Sequence, residues 1–362
     1  MYIGDLGAGG LNYLFSEFLD LALDQALANC CRRVCVELLT ERSWKLSYDG
    51  AGPFDRLATL EALCRYPGPG IELAAQPFPN RRFGMHYPFV AGLAAAFSTS
   101  MEVIVIHGGQ RRSQRFSQGQ PASSACSAPS SEPPGTAISF RPDDAIFDAG
   151  AELDCDNLAN RFREISYLVP GLELTLIEHR FKSNGPVTRT FRSGVGLPEF
   201  LNCRAAERDW VHGEVFGLET AGSEQRFQLA MRWSRQSRED LLLFVNLHPA
   251  PFGGTPLEGL RRALTPAIKK YSKIYGVLNN EALTAADCTA GLSAVLSVYV
   301  REPMWAGATK AKIVNPELIS LVQKAVNKLF PLYLEANPND AIAIARRALE
   351  AFHQRQARKR RT

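Results

Sequence analysis

The chain has 362 residues, of which 46% are apolar and 22% charged, as is typical of a globular protein. This composition excludes a wholly disordered chain, a collagen and a small disulfide-stapled fold, and the length predicts about two domains. The net charge of +4 is concentrated at the C-terminus, where the last eight residues carry five positive side chains. The sequence shows neither a membrane-spanning apolar run nor a secretory signal, so we expect a cytoplasmic protein without membrane contact.

The first hundred residues alternate helix and strand patterns. Apolar residues recur at helical spacing over 11–28, and Glu17, Asp20 and Asp24 lie three and four residues apart on one face of that helix. A β-branched run at 33–39 predicts a strand, and Gly50 and Gly52 predict a tight turn after a second strand. Residues 65–84 are typical of a loop, 89–98 of a buried helix and 101–109 of a strand.

Residues 110–135 are the clearest low-complexity segment. They are rich in Ser, Pro, Gln and Gly and offer little to bury, so they predict a flexible surface insertion. Regular structure is expected again at residue 136, with a helix over 158–169 and a strand over 170–180. This order of elements predicts an α+β layer for the first domain, residues 1–188.

A second α+β domain is predicted over 189–345. Strands are expected over 227–233, 241–246 and 290–300, with helices over 257–276 and from residue 316 onward. The remaining residues, 346–362, form a basic C-terminal tail. Two explanations of the tail stay open: it is a solvated, disordered terminus, or it contacts DNA phosphates.

Five collinear segments carry a family resemblance. They are MYIGDLGAGGLNYLFSEFLDLALDQALA, GTAISFRPDDAIFDAG, LANRFREISYLVPGLELTLIEHR, LLLFVNLHPAPFGGTPLEGLRRALTPAIKKY and GLSAVLSVYVREPMWAGATKAKIVNPEL. Together they resemble the N-terminal ATPase and transducer region of DNA gyrase B and its relatives among the type IIA topoisomerases. The resemblance implies a GHKL-type (Bergerat) ATP-binding sandwich, followed by a transducer domain of the ribosomal S5 domain 2-like type. It also implies ATP and Mg²⁺ as cofactors, and a homodimer or gyrase-like subunits as partners.

The resemblance assigns roles to individual residues. Glu17 matches the catalytic glutamate that orients water, while no metal ligand is assigned because Leu21 stands where the family has asparagine. The nucleotide-binding positions implied are Asp20, Asp49, Gly50, Gly52, Gly84, Thr136 and Lys310. Each also has an ordinary explanation. Glu17 is also explained as a carboxylate on a solvated helix face, and the DGAG segment as a simple turn. Thr136 is also explained as an ordinary strand residue, and Lys310 as a surface lysine.

Several positions depart from the family pattern at the expected site. Tyr48 replaces the aspartate that accepts a hydrogen bond from adenine, and Asp49 lies one residue later, on the other side of an extended segment. Ala51 and Ala308 replace polar family residues. In the phosphate loop, now GMHYPFV, bulky residues and one proline occupy positions where backbone amides would meet phosphate.

Two functions therefore stay open. The first is a divergent gyrase B-like protein with impaired or absent ATP hydrolysis, acting as a binding or regulatory module of DNA topology. The alternative is an ATP-hydrolysing subunit of a type IIA topoisomerase, so the sequence leaves enzymatic activity undecided. Nothing in it resembles the DNA-cleavage domain, and we expect that this chain cannot cut DNA alone. The chain begins at the segment that resembles the family's MYIG, so we expect either a misassigned start or the loss of the N-terminal arm that clasps the family's dimer.

Overall fold

The computed structural model describes residues 3–40, 42–51, 87–180, 185–204, 206–221, 225–307 and 310–360. Within it the chain forms two compact units, Met1–Gly194 and Val195–Thr362. The boundary predicted at 188/189 falls inside strand Val187–Phe191, which pairs with Glu173–Glu178 of the first unit's sheet. The boundary therefore moves to the end of that unit, because a strand belongs with its hydrogen-bonded neighbour. The predicted loop at 65–84 lies outside the described residues.

The first unit is a mixed sheet with helices on one face. Its helices are α1 (Ala8–Leu27), α2 (Tyr87–Ala96) and α3 (Cys155–Leu168). Its strands are β1 (Arg33–Leu38), β2 (Trp44–Tyr48), β3 (Ser98–His107), β4 (Gln110–Ser117), β5 (Gln120–Pro121), β6 (Cys126–Pro129), β7 (Gly135–Pro142), β8 (Glu173–Glu178) and β9 (Val187–Phe191). The order across the sheet is β5-β4-β3-β7-β2-β1-β8-β9, with β6 paired to β4. The β1–β8 pair is parallel.

The core of the first unit lies between α1 and the middle of the sheet. The indole of Trp44 stacks on Phe140 at 5.1 Å between ring centroids and meets Phe15 of α1 edge-on at 5.4 Å. Alternate residues of β1, β2, β7 and β8 are buried on this face, which is the period-two pattern of a half-covered sheet.

The prediction of a flexible insertion at 110–135 is corrected by the structure, which has three strands there. β4 pairs with β3 in register from Met101–Phe116 to His107–Gln110, and β6 pairs with β4. Gln114 and Phe116 are buried while their neighbours on β4 are less so. A strand whose second face is open needs few apolar residues, so low hydrophobicity was a poor guide here.

The second unit is a five-stranded sheet covered by long helices. Its helices are α4 (Leu197–Arg204), α5 (Thr255–Ile274), α6 (Ala285–Cys288), α7 (Glu317–Ala336) and α8 (Pro338–Lys359). Its strands are β10 (Phe216–Ala221), β11 (Gln225–Trp233), β12 (Asp240–Val245), β13 (His248–Pro249) and β14 (Leu292–Val300), in the order β10-β11-β14-β12-β13. All nine residues of β14 are buried.

The basic tail predicted at 346–362 is also corrected, because α8 continues through most of it. Arg347 is 1% exposed, and Arg355 makes hydrogen bonds of 2.8 to 3.2 Å to the carboxylate of Asp287. Arginine counts toward sequence charge whether it is solvated or internally bonded, which is why composition alone suggested a free tail. In the described part of the chain, no helix has the length and apolarity to cross a membrane.

Candidate functional site

The predicted base lies on the exposed side of α1. Glu17 is half-buried, and its carboxylate lies within hydrogen-bonding range of Tyr13, one turn earlier. Burial raises the pKa of Tyr13 to about 12, helped by the charge and hydrogen bond of Glu17 and the charge of Asp20. Tyr13 was missed at the sequence level, although its i, i+4 spacing from Glu17 was a usable signal.

Most of α1 is buried, including residues within one turn of Glu17. Leu21, which stands at the family's metal-binding asparagine, is 4% exposed, and Phe18 lies 5.7 Å from the ring of Trp44. Asp20, one residue before Leu21, is also buried, at 6% exposure. Among the described residues, no group of three or more His, Cys, Asp or Glu side chains is arranged to hold a metal ion. A leucine side chain offers no oxygen to Mg²⁺, so this position does not fit the ion.

Asp49 anchors the start of β1. Its Oδ1 accepts hydrogen bonds from the backbone amides of Arg32, at 2.7 Å, and Arg33, at 3.0 Å. The guanidinium of Arg33 lies 3.4 Å from its Oδ2. Partial burial raises the pKa of Asp49, but these hydrogen bonds outweigh it and hold the pKa below its ordinary value. The bonds in the structure are therefore structural, and an adenine contact for Asp49 stays a prediction.

Thr136 clamps the turn that follows β2. Its hydroxyl donates to the carbonyl oxygens of Gly50, at 2.8 Å, and Ala51, at 3.0 Å. It sits directly across from Tyr48 in the β2–β7 register. Tyr48 is 4% exposed, burial raises the pKa of its phenol, and the described residues offer the hydroxyl no hydrogen bond of ordinary geometry. A buried phenol stands where the family reads adenine with a carboxylate, so this position does not match either.

Two glycines let these segments approach closely. A Cβ on Gly50 would lie 3.2 Å from Cβ of Gln25, so the turn packs against the end of α1. A Cβ on Gly135 would lie 2.9 Å from the carbonyl oxygen of Tyr48, closer than real Cβ contacts. The structure thus brings Asp49, Gly50 and Thr136 together beside α1.

Three further residues complete the predicted nucleotide-binding set: Gly52, Gly84 and Lys310. Lys310 belongs to the second unit, where it is exposed and has a left-handed backbone with φ of 51°. Gly52 and Gly84 lie outside the described residues, so their roles stay predictions.

Replacing Thr136 by valine is expected to lower the thermal stability of the first unit. Valine keeps the volume but removes the donor shared by two carbonyl oxygens, which should lower the free energy of unfolding by about 1–2 kcal/mol. Thr175→Val on the half-buried face of β8 is the matched control and should change it by less than about 0.5 kcal/mol. Thermal unfolding followed by circular dichroism measures both. Equal shifts for the two variants would contradict the clamp.

Comparisons with known proteins agree with this architecture. A family model described as DNA gyrase B matches residues 196–362. The gyrase B protein of Clostridium acetobutylicum is 31% identical over 369 residues, covering 99% of this chain and 57% of the relative. The gyrase B protein of Mycobacterium tuberculosis is 29% identical over 390 residues, and the match covers 98% of this chain and 57% of the relative. The chain therefore spans a little over half the length of these relatives.

A solved structure extends the likeness to the whole fold. The 43K ATPase domain of Thermus thermophilus gyrase B, solved in complex with an aminocoumarin, superposes with a TM-score of 0.83. It is 27% identical, and the match covers 100% of this chain and 94% of that one. The predicted α+β fold class, a GHKL-type unit followed by a transducer, is thereby confirmed. The chain is similar over its full length to the 43K ATPase domain of that gyrase B.

Proposed function

We propose that this chain is a non-hydrolysing gyrase B-like module, which keeps the ATPase fold for binding or regulation rather than for ATP turnover. The observation that carries the proposal is the burial of Leu21 and Tyr48 at 4% exposure each. The resemblance requires a metal-binding amide and an adenine-binding carboxylate at these two positions. Both side chains are instead packed into the unit's interior, so the change involves the core as well as the polar contacts.

Neighbouring contacts support the same proposal. The Thr136 hydroxyl donates to carbonyl oxygens of its own chain, and Asp49 is held by two backbone amides. A nucleotide would have to compete with these bonds for the same groups. Because neither the metal position nor the adenine position fits, we derive no hydrolytic step for this chain.

The alternative, an ATP-hydrolysing subunit that uses Mg²⁺, has one specific observation in its favour. Glu17 keeps the position of the family's base on a helix, where it is half-buried and has Tyr13 within hydrogen-bonding range. A carboxylate so placed could orient water if nucleotide were bound. Glu17 is therefore the residue whose substitution separates the two functions.

Partners follow from the same proposal. A module of this kind would act through gyrase-like subunits or a second copy of itself. Any DNA contact through the basic C-terminal segment would use the residues after Arg355, because Arg355 is bonded to Asp287.

The test is ATP binding and turnover by the full chain with Mg²⁺. We expect calorimetry to give a Kd weaker than about 1 mM, which is under about 4 kcal/mol of binding free energy. We also expect the chain to turn over no more ATP than its Glu17→Gln variant, which keeps the side chain's shape but removes the base. Turnover that Glu17→Gln abolishes would overturn the proposal and establish the alternative.

A further inference from the structure

One face of the first unit's sheet carries no helix in the described part of the chain. The helices pack against the face that bears Trp44 and Phe140. On the opposite face the side chains stay accessible: Glu37 is 23% exposed, Lys45 40%, Glu102 27% and Arg115 66%. We call this the open face. It is lined by β4, β3, β7, β2 and β1 in that order.

A row of alternating charges crosses the open face. The strand registers place Arg115 beside Glu102, Glu102 beside Ser139, Ser139 beside Lys45, and Lys45 beside Glu37. Arg115 Nε lies 3.0 Å from Glu102 Oε1, and Lys45 Nζ lies 3.1 Å from Glu37 Oε1. From β4 to β1 the row is therefore positive, negative, neutral, positive, negative. A charge on one side of β7 therefore has the opposite charge at the equivalent strand on the other side.

That inversion makes the open face complementary to itself. A twofold axis along β7 turns a second copy face down and exchanges β4 with β1 and β3 with β2. Lys45 of one copy then faces Glu102 of the other, and Arg115 faces Glu37. Each contact occurs twice, and Ser139 meets its own counterpart on the axis. We propose that a second copy of this chain docks here, open face to open face, and this proposal is independent of the proposed function.

The axis is lined by residues small enough for close approach. Gly135, Ala137 and Ser139 are the open-face residues of β7, and all three are partly accessible. Beside them lies a shallow hollow of about 410 Å³, lined in part by Ile104, Ser47 and Cys35. The same twofold axis brings Ile104 of one copy over Ser47 of the other, so the hollow can receive the isoleucine side chain.

The row through Gly135 opposes this arrangement in part, because it places like charges together. There the axis brings Arg111 of one copy near Arg33 of the other. Each arginine has its own carboxylate, however: Glu132 lies 3.9 Å from Arg111, and Asp49 lies 3.4 Å from Arg33. Farther along β7, Arg141 would meet its own copy, which limits the contact at that end. Because twisted sheets diverge away from the axis, the outermost pair depends on the long Arg115 side chain.

The size of the open face predicts a weak dimer. Five strands about 4.8 Å apart and three rows of side chains bury roughly 500 Å² per copy, which is below the ~800 Å² of standard interfaces. Its charge pairs face solvent at their rims and are screened by salt. We therefore expect association in the micromolar range that weakens as ionic strength rises.

A charge exchange tests the proposal on the full chain. Sedimentation velocity at low salt should show a concentration-dependent dimer of the wild type. In Lys45→Glu the two central contacts become Glu–Glu, and in Glu102→Lys they become Lys–Lys. Each variant alone should therefore dimerise at least about tenfold more weakly. An equimolar mixture makes both contacts oppositely charged again and should restore dimerisation.

The mixture also guards against misfolding, because misfolded variants would not rescue each other. Lys324→Glu, an exposed substitution on α7 of the second unit, is the matched control and should leave dimerisation unchanged. A wild type that stays monomeric at every concentration would overturn the proposal. So would either single variant dimerising like the wild type, or a mixture that fails to recover association.

Discussion

Arg347→Ala is expected to lower the free energy of unfolding of the second unit by about 3–4 kcal/mol, the range of a large core truncation with lost hydrogen bonds. The Arg347 side chain is 1% exposed, although it carries a charge and lies in the most basic part of the chain. Its stability contribution comes from where the guanidinium is held and from what it holds in place.

The guanidinium fixes the connection between β11 and β12 to helix α8. Nε donates to the Ser234 carbonyl oxygen at 3.1 Å, and Nη2 lies 3.3 Å from the Gln236 carbonyl oxygen and 3.4 Å from Ser237 Oγ. Burial lowers the pKa of Arg347, partly offset by Glu350 at 3.7 Å. The same two carbonyls crowd Gly291, where a Cβ would lie 2.2 and 2.5 Å from them. The connection therefore has little freedom to rearrange when the arginine is removed.

The neighbouring arginine supplies the control for this prediction. Arg346 is exposed on the same helix turn, so Arg346→Ala removes the same charge and should change stability by less than about 0.5 kcal/mol. Chemical denaturation followed by tryptophan fluorescence measures both variants, and hydrogen exchange of the α8 amides reports the local effect. If Arg347→Ala were no more destabilising than Arg346→Ala, the guanidinium would not be the anchor that its contacts indicate.

The same helix shows where sequence reasoning succeeded and where it could not. The long helices α1, α5 and α7 were predictable because an apolar stripe at helical spacing is a local signal. Whether Arg347 is solvated or buried depends on Ser234 and Gln236, more than 100 residues earlier, and on no local pattern. The prediction for the segment that forms β4 was wrong for a related reason. The polar residues of β4 lie on a face that the tertiary fold leaves open.

The same distinction applies to the candidate site, where matching segments could be recognised in the sequence and long-range contacts could not. Glu17 and Thr136 were identified from their matching segments. The bonds of Thr136 to Gly50 and Ala51 span more than 80 residues and appear only in the fold. The substitutions Leu21 and Tyr48 were visible in the sequence, but their burial was not. A replacement at an exposed site removes one contact, whereas a buried one also requires the surrounding packing to change.

Acidification should destabilise the second unit through His212. Its side chain is fully buried, with Nε2 accepting from the Trp233 amide at 3.0 Å and Nδ1 lying 3.5 Å from Asp340 Oδ2. The pKa of His212 is lowered from 6.5 to about 4, chiefly by burial; the charge of Asp340 opposes the shift and that of Arg232 adds to it. Between these two pH values the unfolded chain binds the proton and the folded chain does not. Stability therefore falls as pH falls through this window.

The expected loss from this one group is about 3 kcal/mol between pH 7 and pH 4, since each pKa unit corresponds to about 1.4 kcal/mol. His212→Gln isolates it from the carboxylates that titrate over the same range. The glutamine oxygen can still accept from the Trp233 amide, but the side chain no longer titrates. At pH 7 the variant should be less stable than the wild type by about 1 kcal/mol, because glutamine packs less well there.

As the pH falls, only the wild type loses stability by this route, because its unfolded chain binds a proton that the folded chain excludes. The order of stabilities should therefore reverse before pH 4, with the variant becoming the more stable protein. Denaturant midpoints of both proteins at half-unit pH intervals measure the crossing. Two parallel stability curves would mean that His212 titrates alike in the folded and unfolded chains, and that the buried contact with the Trp233 amide does not keep the ring neutral.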